Sequence, residues 1–202
     1  MIWEVAVPEI ETGDVLYFSS GVGHIGMAYS ASHIIHAQMS GDFHKSSNDQ
    51  FDQKKGVALP SMSNTPGTLV FRPPWGTLSA AEVTARKEEL QRVADAIAAG
   101  ATYGAYRAIR LLIGSSEFGP EAFGRLQKYR DRYLANKGTP ENFKVKGKEV
   151  IKTVTCSEAV IITYQLTFPL REKPFFIGLD GAHAMPGTLR DWLRASPWTL
   201  VT

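Results

Sequence analysis

Short apolar runs dominate the first third of the chain. Val15-Leu16-Tyr17-Phe18, Ile25-Gly26-Met27-Ala28-Tyr29, His33-Ile34-Ile35-His36-Ala37 and Thr68-Leu69-Val70-Phe71 are bounded by Gly, Ser or Pro and predict strands. Between them, residues 40–56 turn polar and predict a long surface loop. From residue 79 the period changes. Ser79-Ala80-Ala81-Glu82 reads as a capping box, and Val83, Leu90, Val93, Ala94 and Ile97 follow at helical spacing up to Gly100, expected as the stop. Glu82/Arg86 and Glu88/Arg92 fit i,i+4 pairs on its wet face. A second helix is expected from Tyr103 to Ile113. A third should start near Pro120 and end at Gly138, with Phe123, Leu126, Tyr133 and Leu134 inward. Residues 143–152 read as a basic, Gly-centred turn. Prolines 169, 174, 186 and 197 break the tail, leaving one helix near Thr188 to Ala195 with Leu189, Trp192 and Leu193 inward.

Strands followed by helices argue for an α+β fold. The expected organisation is one domain over 1–202: strand-rich at 1–75, helical at 79–138, a Cys-bearing helix at about 156–166 and a wrapping tail at 168–202. With 202 residues, such a domain buries roughly 70% of the surface its unfolded chain exposes, so neither metal nor disulfide is needed to close it. A single cysteine cannot form an internal disulfide in any case. The 22 Lys+Arg and 20 Asp+Glu are interspersed, without the basic stripe a phosphate backbone requires, so nucleic acid is not an expected partner. The first residues carry Glu4 and Glu9 with no basic stretch before an apolar run, and no signal peptide is expected. The longest apolar run, 159–168, is too short to span a bilayer. A monomer made in the cytoplasm is the expectation, and a signal-less route of secretion would leave no trace.

The one cysteine lies in Thr153-Val154-Thr155-Cys156-Ser157-Glu158-Ala159-Val160-Ile161-Ile162. Its β-branched residues favour a strand, but Thr155 and Glu158 form a capping-box pattern that makes Thr155 the N-cap and Cys156 the first helical residue. The first turn of a helix presents unpaired N–H groups and the positive end of the dipole. Both favour a thiolate, and the same amides can receive a developing oxyanion. The plain alternative is a small buried residue opening a core helix.

A nucleophilic Cys needs a base. His24 opens a predicted strand between Gly23 and Ile25-Gly26, and His36 lies on the next strand. A hairpin turning on Tyr29-Ser30-Ala31 would set the two directly opposite on one face, with Cβ atoms roughly 5 Å apart, close enough for one ring to orient the other. His33 falls on the other face. His44, in the polar loop, and His183, in the tail, read as exposed. Asp14 reads as a turn residue at a strand entrance. Zinc is disfavoured: the spacing of His33 and His36 suits a helix rather than a strand, and there is no second Cys. No metal and no cofactor is expected.

Gly13-Asp14-Val15-Leu16-Tyr17-Phe18, His24-Ile25-Gly26-Met27-Ala28-Tyr29 and Ile34-Ile35-His36-Ala37 together resemble the His half of NlpC-type cysteine peptidases, where "GD-hydrophobic-F", "H-V-G-I-Y" and "I-H-A" occur in that order. Thr155-Cys156-Ser157-Glu158-Ala159-Val160 resembles the Cys half. In common members the Cys precedes the His; here it follows, with a helical insert between. That is the order of the circularly permuted branch, the YiiX-like and lecithin:retinol-acyltransferase-like proteins. The middle and the tail fall outside the resemblance.

The resemblance implies a permuted papain-like fold with an antiparallel sheet carrying the His residues, packed against a helical part with the Cys at a helix N-terminus. It implies Cys156 as nucleophile, His24 as general base and His36 as the third, orienting group, with peptidoglycan peptides as substrate. Read with the lack of a signal peptide, an antibacterial effector of a contact-dependent, type VI-like secretion system, held in check by an immunity protein, is the expected setting. The competing expectations are an acyltransferase or thioesterase acting on lipid or protein, and a binding domain of the same fold without catalysis.

Overall fold

A computed structural model of the chain describes residues 9–19, 23–31, 33–37, 67–103, 111 and 114–201. Seven strands are present among them: β1 (Val15–Phe18), β2 (His24–Ser30), β3 (His33–Ile35), β4 (Leu69–Arg72), β5 (Thr102–Tyr103), β6 (Thr153–Val154) and β7 (Thr199–Leu200). Four helices accompany them: α1 (Ala80–Gly100), α2 (Pro120–Asn136), α3 (Cys156–Thr167) and α4 (Pro186–Ala195). The main sheet is antiparallel, in the order β3-β2-β1-β4-β7, and β5 and β6 form a separate parallel pair. The molecule is therefore α+β. The 40–56 loop lies outside the described residues, as does nearly all of the helix expected over 103–113; Thr102–Tyr103 at its start is strand.

The alternation of the sheet separates two apolar layers. Val15, Tyr17, Ile25, Met27, Ile35 and Phe71 join the large core with α1 and α3, whereas Leu16, Phe18, Ala28, Ile34 and Val70 pack with Ile10 in a smaller one on the other face. All twelve residues of α3 are buried, which is why its sequence is apolar all round and why tertiary packing overrides its strand propensity. The polar groups in its second half bond within the fold. Thr163 and Thr167 bond back to the carbonyls of Ala159 and Thr163, each at 2.8 Å, and Gln165 Nε2 donates to the carbonyls of Ile177 and Leu179 at 2.8 and 2.7 Å.

Several expectations are corrected. α1 ends at Gly100 as expected, though not through a left-handed turn: Ala101 is the C-cap, and glycine is required because a Cβ there would lie 2.4 Å from the Phe143 carbonyl oxygen. In α2, Leu126 and Tyr133 are buried as expected, but Phe123 and Leu134 face solvent at 43% and 59% exposure; Ala122 and Tyr129 take their places. Arg86 does not pair with Glu82, which is engaged in the Ser79 capping box; it reaches across to Glu172 at 2.6 Å. The tail, expected to hold only a helix, also returns β7 to the sheet edge beside β4.

Candidate active site

Helix α3 begins where the cap places it. Thr155 has extended backbone (φ −95°, ψ 170°), and its Oγ1 accepts from the Glu158 amide at 3.3 Å. The returning bond from the Glu158 carboxylate, which Glu82 makes in α1, is not part of this cap, so the expected box is only half formed. Cys156 follows as the first helical residue, 7% exposed. Ser157 Oγ donates to the Ala184 carbonyl at 2.5 Å, tying the tail loop to the first turn.

Burial pushes the Cys156 thiol above its usual range, against the backbone amides of Ile25, Ser157 and Cys156 itself, which favour the thiolate. The contribution of Ile25 has a topological cause. Ala28 donates to the Asp14 carbonyl, so the even-numbered residues of β2 turn their polar groups to β1 and the odd-numbered ones turn theirs to β3. β3 ends at Ile35, whose partner is Met27, before it reaches the position beside Ile25. The Ile25 amide faces the thiol instead.

The imidazoles meet, though not by the expected register. The pairs are Met27 with Ile35 and Ala28 with Ile34, then a bulge brings Ser30 beside His33. This tighter hairpin places His36 next to Gly26 rather than opposite His24; a Cβ on Gly26 would lie 3.0 Å from the His36 Cβ. The two histidines are diagonal neighbours on one face, and His24 Nε2 and His36 Nδ1 share a hydrogen bond of 2.8 Å with rings at 81°. The His24 ring also stacks on Phe18, its cross-strand partner, with centroids 6.0 Å apart. Burial, and then the neighbouring His36, lower the His24 pKa to about 4, so the ring is neutral at pH 7. Its Nδ1 makes no hydrogen bond among the described residues.

Cys156 belongs to the large core and the histidine pair to the opposite face, and no hydrogen bond among the described residues joins the thiol to either ring. They approach one another at the start of β2, where the thiol faces the amide immediately following His24. His33 lies apart from them, its Nδ1 3.3 Å from Ser30 Oγ. His44 is outside the described residues. His183 is not the exposed residue expected: its Nδ1 is buried and Nε2 stands 3.9 Å from Asp180 Oδ2. Among the described residues no group of three or more His, Cys, Asp and Glu is placed to hold a metal.

Two features escape the sequence. Asp14, expected at a turn, is fully buried and takes a two-pronged bond from Arg72, Nε to Oδ1 at 3.0 Å and Nη2 to Oδ2 at 2.8 Å. Burial raises its pKa and Arg72 opposes that rise. Only the arginine, far along the chain on β4, could have betrayed it. The other is an open cleft of about 300 Å³ between α1 and the 3-10 turn Pro140–Lys144, lined by Ala96, Ala99, Tyr133 and Phe143 with Arg92 and Lys137 at the rim. None of Cys156, His24 and His36 lines it, so this cleft and the Cys–His group do not coincide; the Cys–His group marks the candidate site.

No protein-family profile, no curated protein and no solved structure matches this chain. Among the described residues no helix is long and apolar enough to cross a membrane.

Proposed function

We propose that the chain is a cysteine hydrolase of amide bonds, with Cys156 as nucleophile, His24 as general base and His36 as the group that orients it. The observation carrying this reading is the convergence of three backbone amides on a thiol at a helix N-terminus, one of them from the residue next to a hydrogen-bonded imidazole. His36 occupies His24 Nε2, which reserves Nδ1 for the thiol proton. At rest the thiol and His24 are both neutral, so activation requires the ring to close on the sulfur as substrate enters.

The chemistry then follows in two halves. His24 accepts the proton as sulfur attacks the carbonyl carbon, and the amides of Cys156 and Ile25 receive the oxyanion. Each such donor is worth about 2.7–4 kcal/mol. The protonated ring returns its proton to the departing amine; water then attacks the thioester, His24 taking its proton and giving it to the sulfur. The permuted NlpC-type resemblance supports peptidoglycan peptides as substrate and a papain-like ancestry for the fold. Incubating purified sacculi with wild type and with Cys156→Ala tests this: muropeptides of reduced peptide length are expected from wild type alone, and equal product profiles would overturn it.

A second reading is favoured by the burial of Cys156 and its separation from the histidines: a binding domain whose thiol is inert. The pH profile of iodoacetamide labelling separates the two. A hydrolase labels while folded, at a rate that follows deprotonation of the thiol, whereas an inert thiol labels only once the chain unfolds.

A further inference from the structure

Beside the candidate site a cation is held in a fixed position. Arg190 of α4 lays its guanidinium over the Tyr17 ring, with Cζ 5.0 Å from the centroid, and Nη1 donates to the Tyr17 hydroxyl at 3.3 Å. Nε donates to Asp191 Oδ1 at 2.8 Å. Nη2 has no hydrogen bond among the described residues, and the side chain is 28% exposed. Tyr17 is in turn fixed by Gly23, the residue before His24, whose backbone (φ +83°) passes so close that a Cβ there would lie 2.9 Å from the Tyr17 hydroxyl. Tyr17 pairs across the strands with Ile25, whose amide faces the thiol, and shares the large core with Cys156.

We propose that Arg190 is a recognition residue for a carboxylate carried by the substrate of the Cys156 site. The inference rests on the hydrolase reading and gives it a substrate class: acyl compounds bearing a free carboxylate near the bond attacked. Two bonds and a ring stack already immobilise the guanidinium, so little ordering is left to offset when a ligand docks. Its planar fork suits a carboxylate. The adjacent Asp191 favours a single negative charge over the doubled charge of a phosphate.

Iodoacetate and iodoacetamide differ in one carboxylate, and both alkylate a thiolate by displacing iodide. Because Cys156 is the only cysteine, the mass gained reports on it alone. If the guanidinium attracts the reagent's carboxylate towards the sulfur, the ratio of iodoacetate to iodoacetamide rates should fall about threefold in Arg190→Met and be held in Arg190→Lys. In wild type, raising salt from about 0.01 to about 1 M should slow iodoacetate selectively, reading the same charge without any substitution. Equal effects on both reagents, or none, in the variant and in salt would overturn the role of Arg190 and leave the hydrolase reading standing. Labelling of the unfolded chain only, by either reagent, would overturn both.

Discussion

His24 is neutral in the fold because burial and His36 disfavour its charged form, and this neutrality links stability to pH. Above pH ~6.5 the ring is uncharged folded and unfolded alike, so stability is at its full value. As pH falls from there towards about 4 the unfolded chain takes up a proton that the fold refuses, and on the order of 3 kcal/mol is lost. Buried carboxyls raised by burial, such as Asp14 and Asp95, act in the opposite sense. The difference between wild type and His24→Gln isolates the histidine: urea midpoints should converge as pH falls from 7 to 4, and parallel curves would contradict a depressed His24. Activity divides the same pair differently. Under the proposed hydrolase reading, His24→Ala removes the proton acceptor and should abolish turnover, whereas His36→Ala removes only orientation and should leave a measurable fraction; equal losses would mean that the roles are reversed. That the pair was legible at all owes to the period of the strand. The expected register slips by two residues, and a slip of two keeps every side chain on its face. Cys156 was legible because its cap is local, three residues wide; the Ile25 amide was not, because it depends on where β3 stops.

At the scale of elements, β1 and β4 are joined by more than their ladder. Asp14 is completely buried at the start of β1 and its charge is met by Arg72 at the end of β4, which also bonds Glu11 at 2.7 Å. Lys87 of α1 pairs with Glu11, so the network fastens the entering chain to sheet and helix together. Substituting one partner leaves the other buried and uncompensated. Arg72→Met should cost about 3 kcal/mol, and adding Asp14→Asn to it should recover most of that loss, since removing both charges also removes the need for pairing. Chemical denaturation of the two single variants and the double one measures this; additive losses would show that the pair is not coupled. Nothing within either segment announces such a contact. Gly13-Asp14 reads as a turn and Arg72 as a strand-end cation, and only the sheet brings them together. The exposed Phe123 and Leu134 were misread for a similar reason: helical spacing gives an apolar face, but the neighbours that cover it are supplied by other elements.

Across the whole molecule one core joins what the sequence presents as separate zones. Val15 and Ile25 of the sheet, Leu90 of α1, Leu126 of α2, Ile161 of α3 and Leu189 of α4 all belong to it. The tail closes this core rather than merely wrapping it. Trp198 packs its ring against Tyr164 with centroids 5.0 Å apart, its Nε1 donates to the Pro174 carbonyl at 3.1 Å, and β7 follows at once to cover β4. Tyr164 in turn donates to the Gly13 carbonyl beside the Asp14 network, so a cavity at Trp198 would be felt through α3 as far as the start of β1. Trp198→Ala should cost about 3–5 kcal/mol. For a chain of this length that lowers the melting temperature by roughly ten degrees. The expected melt is one transition, coincident by far-ultraviolet and near-ultraviolet dichroism, because the large core runs from the sheet through every helix to the tail. If the near-ultraviolet signal were lost at lower temperature while the far-ultraviolet signal held, the packing around Trp198 and Tyr164 would be a separately melting unit, governed by local opening rather than by global stability.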